Sequence, residues 1–333
     1  MAFSDGVSRC SAYVFFAFAA PLAYEGTLES ARMRAQPITA VRRHFMTDES
    51  DKPIDPKAGG SAPAGLAEIR TRIDALDREI HDRLIERSSI IDSLIKVKRA
   101  DHTGVAFRPR READMMYRFA ERHHGSLPLT TVEHMWREII STFTYLQAPY
   151  GIHLDTGIGV APAYDSLRFY FGFSVPHTDQ PDAASAISAV AASRSDLGYV
   201  GLGEAASPWW TALTDPAGPR IIARTPFFEM DGRAAATPMV VVSNPLDEQS
   251  DPDRLCWATD WSDDADIAEG FAALEIEILA THSANGRTDA LIAAPKTLEP
   301  DTIADLLADA GSETGLRPAG GYSSPMRIET DKE

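Results

Sequence analysis

The sequence predicts a multidomain chain: an all-α unit of three helices built for an intertwined dimer, then an α/β region. Three observations predict it. A long seam of apolar residues (Leu66, Ile69, Ile73, Leu76, Ile80, Leu84, Ile91, Leu94) recurs every three or four positions, the period of a helix that packs on other helices. That helix, some fifty ångströms long, cannot bury its seam in a three-helix monomer, so a second copy is expected to cover it. After Pro149 the pattern shifts to short apolar runs broken by Gly and Pro, in which strand and helix signals alternate.

Taken in order, residues 1–63 read as an extension. Its apolar run at 13–24 follows Arg9 and is too short to span a membrane. The run has the length of a secretory core but a weakly basic flank. The other reading is an unstructured lead or sequence upstream of a start at Met46. Residues 47–65 are polar and rich in Pro and Gly, a flexible lead-in. The helical unit spans 64–149. Its first helix ends near Arg99, before a polar turn. The second runs from about Arg110 to His123, with Met115, Met116, Phe119 and Ala120 inward, and Gly125 and Pro128 end it. The third starts near Thr130, with Glu133 as a capping-box partner, and carries Val132, Trp136, Ile139, Ile140, Phe143 and Gln147 up to Pro149.

Residues 150–250 contain strand patterns at 158–161, 197–202, 221–225 and 238–243 and a helix at 183–193. Ser207-Pro208-Trp209-Trp210 reads as a packed loop. Residues 251–333 read as strand 254–259, helix 264–274, strands 275–282 and 288–294, helix 301–310 and a last extended piece at 316–325. This βαββα order is compatible with a ferredoxin-like fold.

With 333 residues, a net charge of −17 and a pI near 4.9, the chain lacks the basic footprint of a nucleic-acid or anionic-membrane binder. Cys10 and Cys256 make no disulfide framework, and no Cys/His spacing suggests zinc, so the chain reads as cytosolic. His153, His177 and His282 have no evident Ser or Asp relationship.

Two cations interrupt the apolar seam, Arg87 and, eleven residues on, Lys98. At ~100° per residue they share a face within roughly 20°. A lone seam cation more often snorkels or pairs than binds a ligand, but a buried unpaired one demands an anion. Arg70 lies seventeen residues before Arg87. Arg111 and Glu112 open the second helix, and Gln147 closes the third. In this order and on these elements the set resembles the helical chorismate mutase family over residues 64–148.

The resemblance implies conversion of the dicarboxylate chorismate to prephenate by a pericyclic shift, with no nucleophile, general base, metal or cofactor. It implies that Arg70, from a partner subunit, and Arg87 bind one carboxylate and Arg111 the ring carboxylate. Lys98 and Gln147 would address the ether oxygen and Glu112 the ring hydroxyl. Two positions depart from the family: Arg108 stands where an acidic residue is common, and Phe143 replaces a serine one turn before Gln147. Altered affinity rather than lost chemistry is expected, with Arg108 an added substrate-binding candidate.

The remainder resembles a reduced prephenate dehydratase region, of the periplasmic-binding type, followed by an ACT-like regulatory domain. The carriers are SDLGYVGLGEAA, ATPMVVVSN and the ending LRPAGGYSSPM. The dehydratase's Thr-Arg-Phe signature falls at Thr237-Pro238-Met239, without its arginine, and the ACT effector motifs are missing. The expectation is a cytoplasmic, homodimeric chorismate mutase of phenylalanine/tyrosine biosynthesis. The alternatives are a bifunctional mutase/dehydratase, an isochorismate pyruvate-lyase, or a non-catalytic sensor whose tail binds an aromatic amino acid.

Overall fold

A computed structural model describes residues 65–101, 107–246 and 251–329, the side chains of 94–101 excepted. The readings made for residues 1–63 lie outside the described residues. Three helices come first: α1 (Leu66–Asp101), α2 (Pro109–Arg122) and α3 (Leu129–Gln147). Pro109 at the first position of α2 lacks only an N–H that would have no helical partner there. At 36 residues α1 is about 54 Å long. Of its described side chains, Arg87, Ser88 and Ile91 alone are half-buried, where the helix meets α3. The seam residues Leu66, Ile69, Ile73, Leu76, Ile80 and Leu84 are exposed.

The α/β body follows as β1 (Ile152–Asp155), α4 (Val160–Phe171), β2 (His177–Gln180), α5 (Ala183–Ala192), β3 (Leu197–Gly201) and β4 (Gly203–Glu204). A 3-10 helix (Trp209–Thr214) leads to β5 (Arg220–Thr225), β6 (Phe228–Glu229) and β7 (Met239–Ser243). Then come β8 (Arg254–Ser262), α6 (Ala268–Ala273), β9 (Glu277–Ala284), β10 (Arg287–Pro295), α7 (Pro300–Asp309), β11 (Arg317–Tyr322) and β12 (Met326–Arg327). Ten strands form one sheet in the order β2-β1-β3-β7-β5-β11-β8-β10-β9-β4, and β6 pairs with β12 apart from it. Parallel β2-β1-β3 is joined through α4 and α5, whereas β11-β8-β10-β9 is antiparallel. Only Leu202 separates β3 from β4 in the chain, yet β4 pairs with β9 at the opposite end of the order, so the sheet curls.

The two regions of the sheet meet where β11 runs beside β5. Gly320, at φ 122°, makes this possible, because a Cβ there would stand 2.3 Å from the Ile221 carbonyl oxygen. A Cβ on Gly321 would stand 2.6 Å from the Arg254 carbonyl oxygen, so both glycines of the LRPAGGY stretch are set by backbone approach. The helices rest on this body. Ala113, Met116 and Phe119 of α2, with Trp136 and Ile140 of α3, pack against Phe227, Phe228, Met326 and Ile328.

Most element readings agree with these ranges, and three do not. The strand expected at 158–161 is instead a turn and the start of α4. Gly157 and Gly159 interrupt the apolar run, and Ala163, Leu167, Tyr170 and Phe171 repeat with helical period on the buried side. Glu133 forms no capping box: Pro128 precedes α3 without a side-chain cap, and the Glu133 carboxylate instead pairs with Arg233. The expected loop at 207–210 leads into the 3-10 helix, which buries Trp209 and Trp210. β1 and β2 were not evident in the sequence, β2 because His177, Thr178, Asp179 and Gln180 are all polar.

Candidate active site

Arg87, Arg108, Arg111, Glu112 and Gln147 line one cavity of about 130 Å³, with Ile91, Met115, Ile140, Phe143 and Thr144 as the rest of its wall. Three helices supply them. α1 contributes Arg87, the entry to α2 contributes Arg108, Arg111 and Glu112, and the last turns of α3 contribute Phe143 and Gln147. Arg87 has no carboxylate partner among the described residues. Arg87 Nη1 is buried with no hydrogen-bond partner among the described residues. Burial, and then the neighbouring Arg111, pull the Arg87 pKa down, although a guanidinium remains charged. The Arg87 guanidinium carbon sits 4.6 Å from the centre of the Phe143 ring, a cation–π contact that replaces a hydroxyl by a flat apolar support.

Glu112 is the anionic member. Its side chain is 13% exposed and its Oε2 accepts from Arg137 Nη1 at 3.1 Å. Burial pushes this carboxyl up to about 7, against the opposing pull of Arg137 and of the Arg108 backbone amide. Gln147 donates one Nε2 hydrogen to the Phe143 carbonyl at 3.0 Å, which leaves its second N–H as a donor and its side-chain oxygen as an acceptor.

Two of the expected site residues stand apart from this group. Arg70 is exposed on α1, seventeen residues or about 26 Å along the helix from Arg87, and does not line the cavity of its own chain. The backbone of Lys98 belongs to α1, and its side chain lies outside the described residues. Arg137 was missed in the sequence. Its signal was an arginine among Glu133, Ile140, Ser141 and Thr144, on a face of α3 that turns inward.

A second opening lies at the C-terminal ends of β1 and β3, where the connections leave to opposite sides of the parallel strands, the usual crevice of such sheets. It measures about 170 Å³ and is lined by Asp155, Asp182 and Glu204 along with Gly157, Gly201, Gly203, Ser207 and Trp209. Among the described residues no Lys, Arg or His lines it. Asp155 accepts from the Gly157 and Gly201 amides at 2.8 and 3.2 Å, while burial raises its pKa.

A cation-lined pocket among three helices defines a class of site suited to a small polyanion. Residues 69–148 match the family model described as chorismate mutase type II, and this segment is a chorismate mutase type II domain. A curated relative, the bifunctional chorismate mutase/prephenate dehydratase of Stutzerimonas stutzeri, is 31% identical over 114 residues. That match covers 33% of this chain and about a third (31%) of the relative's length. A solved structure described as GqqA, a novel type of quorum quenching acylase, aligns over 53% of this chain and 94% of its own. Its identity is 16% and its TM-score 0.35, too slight a likeness to argue from. No helix among the described residues is long and apolar enough to cross a membrane.

Proposed function

We propose that this chain is a cytoplasmic chorismate mutase acting in phenylalanine/tyrosine biosynthesis. The observation that carries the reading is the shared cavity: Arg87, Arg108, Arg111, Glu112 and Gln147 converge on it within the segment that matches the family. Chorismate presents two carboxylates, a ring hydroxyl and an ether oxygen. Arginine forks suit the carboxylates, and holding both selects the compact reactive conformer, an entropic contribution to rate. Lys98 and the Gln147 amide address the ether oxygen, where negative charge grows as the C–O bond stretches. Glu112 accepts from the ring hydroxyl. The rearrangement moves no proton and needs no covalent intermediate.

A homodimer completes this reading. The bare apolar seam of α1 suits a second copy of the same helix, and such pairing would bring Arg70 to the partner's pocket. The chain then divides into a mutase unit at 64–149, a reduced dehydratase-like unit of periplasmic-binding type at 150–250 and an ACT-like unit at 251–333. The order β11-β8-β10-β9, with α6 and α7 as the crossovers, supports the last of these.

Purified full-length protein is expected to consume chorismate, followed by loss of its ultraviolet absorbance, and to release prephenate. No turnover would overturn the proposal, and pyruvate release from isochorismate exceeding mutase turnover would move it to a pyruvate-lyase. The name of the Stutzerimonas relative favours a second, dehydratase activity, but the acidic crevice opposes it, since prephenate is itself a dicarboxylate. Phenylpyruvate formation from prephenate is expected to stay at background. Heat on titration with phenylalanine or tyrosine would instead assign the tail an effector role.

A further inference from the structure

We propose that Arg137 is a positioning residue of the mutase pocket, holding the Glu112 side chain in place and linked through Glu133 to Arg233 of the α/β body. The inference rests on the mutase reading for its consequence and on the fold for its geometry. Four side chains of alternating charge run inward from the body. Arg233, in the stretch between β6 and β7, donates from Nη2 to Glu133 Oε2 at 3.1 Å, with both side chains at most 1% exposed. Glu133 stands one turn before Arg137 on α3, and its carboxylate feels both arginines. Arg137 donates to Glu112 Oε2 at 3.1 Å with 11% of its side chain exposed, and Glu112 lines the cavity that holds Arg87 and Arg111.

Tyr170 flanks the Arg137 step. The guanidinium carbon of Arg137 lies 5.6 Å from the centre of the Tyr170 ring, and that of Arg233 lies 5.8 Å from the same ring. Tyr170 therefore contacts both arginines, and α4 contributes to their placement. Behind Glu112 lies a second cavity of about 40 Å³, lined by Arg137, Ser141, Tyr150, Tyr170 and Arg224 among others. It has room for about one or two waters. Arg137 Nε, Tyr170 Oη and Arg224 Nε are buried on this wall without protein partners among the described residues.

An ion pair this buried is weak evidence for stability, because desolvation offsets its attraction. Its position has a functional consequence. Without a cation beside it, a carboxyl at this depth takes up a proton and loses its acceptor-only character. The groups around Glu112 are Arg111 and the Arg108 amide on its own element, Arg87 of α1, Arg137 of α3, Tyr150 beyond α3, Tyr170 of α4 and Arg224 of β5. Of these, Arg137 is the cation in direct contact with the carboxylate.

The test compares full-length wild type, Arg137→Gln and Arg137→Lys. The pH profile of kcat/KM for chorismate is measured together with the titration of Glu112, followed by the NMR carboxyl signal that vanishes in Glu112→Gln. Wild type is expected to inflect in both near pH 7, the value to which burial pushes Glu112. Arg137→Gln is expected to move both inflections upward by about one unit or more, and Arg137→Lys to restore them. Inflections in Arg137→Gln that coincide with wild type overturn the proposal. Should Arg137→Gln not fold, Arg137→Lys decides. A reduced kcat/KM with the inflection retained supports positioning by the fork, and wild-type kcat/KM overturns it. If no form turns over chorismate, the mutase reading fails, while the NMR titration still decides whether Arg137 governs Glu112.

Discussion

The pocket between the helices and the crevice above β1 and β3 are of comparable size and opposite character. The first, about 130 Å³, gathers Arg87, Arg108 and Arg111 around a single carboxylate. The second, about 170 Å³, gathers Asp155, Asp182 and Glu204 with no cation among the described residues. In a chain of net charge −17 an acidic crevice is what the average surface provides, whereas three converging arginines run against the composition. Charge sorts the two openings more sharply than volume does. A dicarboxylate would meet arginines in one and carboxylates in the other, which is why the proposed substrate is placed among the helices. The α/β body serves as the surface against which α2 and α3 are built.

The largest expected effect falls on the helical side. Lys98→Ala should lower kcat by roughly a thousandfold, on the order of 4 kcal/mol of transition-state stabilisation, with circular dichroism unchanged. Activity near wild type would remove Lys98 from the ether oxygen and leave the arginines as carboxylate clamps alone.

How much of this was legible follows the same division. Arg87 stood out because helical spacing is rigid and a cation on an apolar seam is conspicuous, whereas Arg111, Glu112 and Gln147, on two other helices, were brought to it only by the resemblance to a family that carries such residues in this order. The edges of α2, α3, β8 and β10 were readable from period and breakers. β1 and the start of α4 were not, because Ile158 and Val160 form an apolar run between glycines that suits a strand as well as a turn. Arg137 was not, because its partner Glu112 stands on another helix and its other neighbour, Tyr170, on α4. Pairings across elements leave no spacing in the chain. The joining of β5 to β11 was hidden likewise, although Gly320 and Gly321 mark the close approach once it is known.

The next effect separates a buried acid from an exposed one. Glu112 folds with its pKa raised from 4.5 to about 7, so the native state keeps a proton that the unfolded chain releases. Stability therefore falls as pH rises from about 4.5 to about 7 and then levels, by up to about 3 kcal/mol at this site. Glu112→Gln should flatten that part of the curve, measured as a smaller difference in Tm between pH 5 and pH 7.5. An unchanged difference would mean that Glu112 stays ionised throughout.

A smaller effect is expected at Phe143, whose ring supports Arg87 at 4.6 Å. Phe143→Ser installs the hydroxyl common in the family but withdraws that support, worth about 1 kcal/mol. KM for chorismate should rise by about fivefold with kcat within twofold, as expected when binding is lost equally from ground and transition states. A fall in kcat alone would instead give the ring a part in the chemical step.

The smallest expected effect on catalysis belongs to the acidic crevice. Asp155 stands at the end of β1 and accepts from the amides of Gly157 and Gly201, tying the turn before α4 to the end of β3. Asp155→Asn keeps the shape but replaces one accepting oxygen by a donor, so one of these amides loses its partner, at about 1–2 kcal/mol. The expected outcome is a lower Tm with mutase kcat/KM unchanged. A parallel loss of mutase activity would show that the crevice and the helical pocket are energetically coupled.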